Sequence, residues 1–286
     1  MPRDRIVAIT GHSADRADRS AVMCLIKVGQ GLLAIASASL AIVTVACGDF
    51  ALLGQSLPAW LPLREVWVYG CAAAVLAASA GLCFSRTAMA SALTIGGYHV
   101  VWAVTCIPNI LSKPLSIGAW YGFCEAVTSL AGPWILYVLL RWQSGGSEMP
   151  RSGARAIRVA QVLFGLTCVF YGWSHFTYAD YTASMVPTWL PRRLELAYFT
   201  GAAHIAAGIG IVAGVLPRPA AALEATMMSL FGLLVWVPSF FARPRPAWAT
   251  LPQSQWSELV LTFVLAVSAW IVAASLSARS RIRASN

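Results

Sequence analysis

His175 and Glu258 combine reactive side-chain type with a telling position: each stands at the same end of an apolar run. Imidazole and carboxylate at one depth can pass protons, or grip a polar head such as a quinone carbonyl. His175 shares a narrow helical arc with Gln161, Gly165, Cys168 and Gly172, and Glu258 stands one turn before Thr262. His204 lies between glycines near the middle of its run, with Tyr198 upstream and Trp189 in the preceding loop. His175 and Glu258 are therefore taken as proton-handling candidates, and Trp189, His204, Tyr198, Gln161 and Thr262 as ligand contacts, with Trp189 closing the site. The upstream half of the chain offers counterparts in Asp49, Glu125, Trp60 and Gln30.

An ionisable group at the bilayer centre costs on the order of 3 kcal/mol or more, which makes such residues functional candidates. Two plainer readings stay open. A Glu followed one turn later by a hydroxyl, as in Glu125–Ser129 and Glu258–Thr262, can simply tie helices together. Single buried histidines such as His99 and His204 can be hydrogen-bonded packing residues. Metal chemistry has less support, because no HxxxH, HxxE or Cys/His cluster has ligand spacing. His204 could serve a haem as an axial ligand, but no second ligand is identifiable, so a quinone is the better fit. Nucleotide-binding and GxSxG signatures are absent.

The elements that must position these residues follow from composition. The 286-residue chain is 58% hydrophobic and 11% charged, with a mean hydropathy of +0.69, against about 25% charged in a soluble domain. Eight apolar runs, near 22–47, 66–84, 88–110, 120–140, 157–176, 195–215, 220–241 and 257–276, each approach the ~20 residues a spanning helix needs. The expected fold is an all-α membrane protein with eight transmembrane helices. Residues 1–21 read as a polar cytoplasmic tail, not a cleaved signal. With that tail inside, 14 of the 20 Lys and Arg fall on the cytoplasmic side, which places both termini in the cytoplasm. The net charge of +9 is scattered over several loops; it suits a negative lipid leaflet and argues against nucleic acid as a partner. The seven cysteines form no CxxC pair. Four of them, Cys47, Cys71, Cys106 and Cys124, fall towards outer helix ends, where either a disulfide or plain packing fits.

The chain repeats itself. Pro58–Pro62 (PAWLP) matches Pro187–Pro191 (PTWLP) at a spacing of 129, which also pairs Tyr69 with Tyr198 and Gly81 with Gly210. Ile107–Pro114 matches Val237–Pro244 at 130, Gln30 matches Gln161 at 131, and Glu125 matches Glu258 at 133. Ordered matches with drifting offsets indicate duplication. The units expected are a divergent four-helix bundle over 22–142, a cytoplasmic linker over 143–155, and a second bundle over 156–286. An even number of helices per copy makes them parallel repeats. A small-residue stripe on each second helix (Ala73, Ala77, Gly81, Ser85; Ala202, Ala206, Gly210, Gly214) is expected to be a packing face.

The segments FYGWSHF (Phe170–Phe176), MVPTWLP (Met185–Pro191), YFTGAAHIAAGIGIV (Tyr198–Val212) and VPSFF (Val237–Phe241) resemble the DoxX-like membrane proteins. That resemblance implies a tandem of four-helix units, with His175 in the place of the family's loop-proximal His. His204 stands where the family usually carries Glu, and in the first copy Val75 fills that position while Asp49 replaces the His. The resemblance implies a redox-associated, quinone-linked membrane subunit with a soluble or membrane redox partner. A non-enzymatic chaperone or assembly partner for another membrane or exported protein is the alternative, also on the family's precedent. A small-molecule transporter is disfavoured, since no run shows a mid-membrane Gly/Pro break.

Overall fold

The computed structural model describes residues 3–51, 57–58, 60–143, 149–249 and 252–282, with side chains described between residues 23 and 276 of those ranges. Among the described residues every regular element is helical. The first half comprises α1 (Arg3–Cys47), α2 (Arg64–Gly81), α3 (Ala88–Ser112) and α4 (Ile117–Gln143). The second comprises α5 (Arg151–Thr177), a short α6 (Ala179–Met185), α7 (Arg193–Ala213) and α8 (Pro217–Phe231). After α8 come a π-helical turn (Gly232–Trp236), α9 (Val237–Ser239) and α10 (Pro252–Ile282). Among the described residues seven stretches are long and apolar enough to cross a membrane, the architecture of a multi-pass membrane protein: Met23–Cys47, α3, α4, α5, α7, Pro217–Ser239 and Pro252–Leu276. The 18-residue α2, which opens on Arg64 and Glu65, is not among them.

Local chemistry explains the boundaries. Gly214 ends α7 at φ 76°, a left-handed conformation that glycine adopts without a Cβ clash. Pro217 then opens α8, where its missing N–H costs nothing. Backbone geometry also repeats: Leu63 before α2 and Arg192 before α7 both adopt positive φ, at 55° and 52°. They are related by the same spacing of 129 that relates the PAWLP and PTWLP loops. The linker expected at 143–155 is shorter than that, since α5 begins at Arg151; residues 144–148 lie outside the described residues. Ala59 of the first loop does too.

Within each half the helices pack in order, α1 on α2 on α3 on α4, and α5 on α7 on α8 on α10. Neither half closes on itself. The α1–α4 and α5–α10 contacts are slight, whereas α1 packs on α10, α5 on α4, and α4 on α10. The eight helices therefore form one ring closed across the halves, with α4 and α10 touching at its centre. In α10, 83% of the most apolar stretch is buried, against 22% for Pro217–Ser239, so α10 is central and α8 faces outward. Ser268 of α10 donates to the Ser129 carbonyl of α4 at 3.2 Å, and Trp270 reaches the Leu25 carbonyl of α1 at 3.2 Å.

The small-residue stripes expected to pack do so only at Gly81, which lies against Ser91, and at Gly210, which lies against Ala220. Ala73 and Ala77 are exposed, as are Ala202 and Ala206. The close approach lies a third of a turn away, on the glycines that share a face with His204 and Gln161. A Cβ on Gly208 would land on the Gly165 carbonyl oxygen, and one on Gly172 would land on the Gly201 carbonyl oxygen. These reciprocal pairs bring α5 and α7 into backbone contact, the way membrane helices gain packing without a solvent drive. The Ala202 face turns outward because bundle geometry follows the closest fit, and glycine outranks alanine there.

Arg158 fixes the other end of this pair. Its guanidinium donates to the Ile211 carbonyl at 2.9 Å and to the Val212 carbonyl, satisfying groups left open where α7 ends. In the first half Gln30 does the same job, donating to the Leu82 carbonyl at the end of α2. Arg158→Leu removes both bonds and leaves the carbonyls unpaired. It is expected to lower stability by about 1–2 kcal/mol, read as a lower melting temperature in detergent.

Candidate functional site

A cavity of about 1470 Å³ opens in the second half, walled by α5, α6, α7, α8, the π-helical turn and α10, with α4 reaching in from the first half. Most of its lining is apolar. The polar lining gathers where α4, α5, α7 and α10 come together: Glu125, Glu258, His175, His204, Tyr121 and Tyr171. Glu125 and Glu258, one from each half, lie within electrostatic reach of each other across the α4–α10 contact. Tyr121 feels both carboxyl groups. Tyr181, on α6 above the membrane-length helices, has its hydroxyl pushed above the ordinary phenol range, first by burial and then by the Glu258 charge.

Histidine tautomers follow from the partners. His175 Nδ1 is 3.0 Å from Thr200 Oγ1 and 3.4 Å from the Ala197 carbonyl. Thr200 donates its own proton to the Leu196 or Ala197 carbonyl, so Nδ1 of His175 donates and Nε2 keeps a lone pair. His204, 1% exposed, donates from Nδ1 to Glu224 Oε1 at 2.8 Å. The two imidazoles meet edge to face with centroids 5.1 Å apart, and Phe231 stacks on His175 at 6.1 Å. Glu224 is itself 2% exposed, and its second oxygen, Oε2, receives no N–H or O–H hydrogen bond, with only the Cys168 thiol beside the carboxyl group. Gly201 matters here directly: a Cβ there would come within 2.8 Å of His175 Cβ, so glycine at 201 makes room for the imidazole.

The structure gathers His175, His204, Glu258 and Thr262 at the cavity, joined by Glu125, which the sequence offered only as a first-half counterpart. Others fall elsewhere. Trp189 is 69% exposed and does not close the site; Val186, Pro187, Leu190 and α6 form that wall instead. The prolines direct the loop's aliphatic side chains inward and leave the indole outside. Tyr198 stacks on Phe176 at 5.6 Å, on the outward side of α7. Gln161 is buried far along α5, donating to Ser275 Oγ at 3.0 Å, a helix tie and not a cavity contact. Gln30 is the α2 tie already described. Asp49 pairs with Arg64 at 2.8 Å in a loop, and Trp60 is exposed. His99 donates from Nδ1 to the Ile95 carbonyl at 2.8 Å, away from the cavity. All seven cysteines are free thiols.

Glu224 was missed by spacing arguments, although an acid inside an apolar run is the signal that should have found it. The tyrosine wall was missed as well, because its members come from three different helices. One side of the cavity is open: Phe199, Ile209, Leu223 and Leu230 line it and are also 46–69% exposed. They form a seam between α7 and α8, facing outward where lipid would lie. Among the described residues no group of three or more His, Cys, Asp or Glu side chains is arranged to hold a metal ion.

No curated protein and no solved structure matches the chain. A family model described as "Domain of unknown function (DUF8561)" matches residues 164–273, the stretch of α5 to α10 that builds most of the cavity wall.

Proposed function

We propose that this chain is a tandem DoxX-like protein of the bacterial inner membrane, with eight spans and cytoplasmic termini, and that it binds a lipid-soluble quinone as a redox-associated subunit. The observation that carries the reading is a cavity open sideways to the bilayer through the α7–α8 seam, with acid–base groups gathered at one end. A long apolar tail fits the groove, and a quinone head reaches the His175, Glu258 and Tyr181 end. His175, with its Nε2 lone pair free, and Glu258 exchange protons with the bound head. Glu224 holds the His204 ring in place. The eight-span arrangement of parallel repeats is supported by the shared left-handed residues Leu63 and Arg192 and by the paired contacts of α4 and α10.

The test is equilibrium binding of decylubiquinone to the protein in lipid nanodiscs. His175→Ala, which removes the imidazole from a half-buried position, is expected to weaken binding about tenfold with the protein still monodisperse. Equal binding by the variant and the parent protein would refute the assignment.

A further inference from the structure

The charge of the cavity wall is at odds with that of the chain. The protein has 20 Lys and Arg against 11 Asp and Glu, yet among the described residues none of those lining the cavity is Lys or Arg, while three are Glu. Glu125 and Glu224 are buried, at 3% and 2% exposure. Glu224 Oε2 receives no N–H or O–H hydrogen bond, with only the Cys168 thiol beside the carboxyl group. Two carboxyl groups in electrostatic contact and low dielectric need a proton or a counter-charge between them, and the protein supplies no cation there. The aromatic residues complete the picture. Tyr121 and Tyr171 lie with ring centroids 5.8 Å apart, and Tyr178 and Tyr181 join them in the lining. Carboxylates among aromatic rings are the chemistry that recognises an ammonium group. An anionic head, such as a phosphate or carboxylate, would face three Glu side chains and no Lys or Arg.

The geometry points to a lipophilic organic cation, an amine or quaternary ammonium on an apolar tail, as a ligand of this cavity, its head between Glu125 and Glu258 and its tail along the α7–α8 seam. The volume of about 1470 Å³ exceeds the roughly 300–1,000 Å³ of an ordinary small-molecule pocket and has room for both parts. Glu125 gives the first half a part in binding: the head-group site is incomplete without α4. This inference rests on the proposed function only in taking the cavity as a ligand site, not in the identity of the head.

The test uses tritiated dodecyltrimethylammonium with the full chain in lipid nanodiscs, empty discs serving as background. Saturable binding is expected, displaced by the unlabelled cation but not by dodecyl sulfate, and roughly tenfold to a hundredfold weaker in E125Q/E258Q. Should the double variant fail to give a monodisperse protein, E258Q alone, at a half-buried position, is expected to show a loss of about tenfold. Uptake no greater than in empty discs, or binding unchanged in the folded variant, overturns the inference. Decylubiquinone binding without cation binding sinks this inference and leaves the quinone reading standing. Cation binding without decylubiquinone binding does the opposite.

Discussion

Gly208→Ala is expected to cost about 3 kcal/mol of stability, more than its single added methyl would suggest. The new Cβ would strike the Gly165 carbonyl oxygen and come within 2.8 Å of Val169 Cγ2 and 2.9 Å of the Val169 nitrogen. Two of these three are backbone atoms, which cannot swing aside, so α5 and α7 must separate. Gly172→Ala meets the Gly201 carbonyl and the Ile205 nitrogen, at 3.0 Å for the latter, and should behave alike. Gly97→Ala in α3 is the control, with nothing within 4 Å of its added Cβ; helix propensity favours alanine there by up to about 1 kcal/mol. Melting in detergent, followed by size-exclusion chromatography, should show loss of the monodisperse peak for the first two and an unchanged or raised midpoint for the third. A Gly208→Ala protein as stable as the parent would mean that α5 and α7 do not pack through backbone contact.

Glu224→Ala carries the second large effect. It strips His204 of its partner at a site 1% exposed, leaving a buried N–H donor unsatisfied. Such a loss costs about 1–3 kcal/mol if the pair is neutral, and about 3–5 kcal/mol if it is ionised. Glu224→Gln keeps an acceptor for Nδ1 and should lose less. The diagnostic is the double variant H204L/E224L, which removes both polar groups and should recover most of the stability lost by Glu224→Ala. Additive losses in that cycle would show that the two side chains are not coupled. The pair also sets which His204 nitrogen carries the proton.

Helix positions were legible in the sequence because hydrophobic runs in lipid admit few solutions. The His175 face of α5 was legible too: the arc holding Gln161, Gly165, Cys168, Gly172 and His175 is the face α5 presents to its neighbours, and Gly165 and Gly172 meet α7 along it. Run-finding could not show how the halves close. Nothing local in α1 says that it will meet α10 and not α4, because that choice depends on the fit of whole helices. The site was half legible for the same reason. His175 and Glu258 were placed together by depth alone, and they line one cavity. Glu125 belongs to the same cavity only because α4 touches α10, and Glu224 because α8 lies beside α7. Trp189 misled by type: an aromatic in a loop suggests a lid, but an indole flanked by prolines turns to the membrane interface as readily.

The central place of α10 has a bearing on how the protein is made. Every helix that surrounds it precedes it in the chain, so the ribosome releases the surrounding helices before their centre exists. Until Pro252–Leu276 enters the membrane, α1, α4 and α8 surround an unfilled axis, and Glu125 lacks the α10 wall that carries Glu258. The ring of helices therefore closes only when α10 is inserted, and a nascent chain stalled before that step would leave the faces of α1, α4 and α8 that pack on it uncovered.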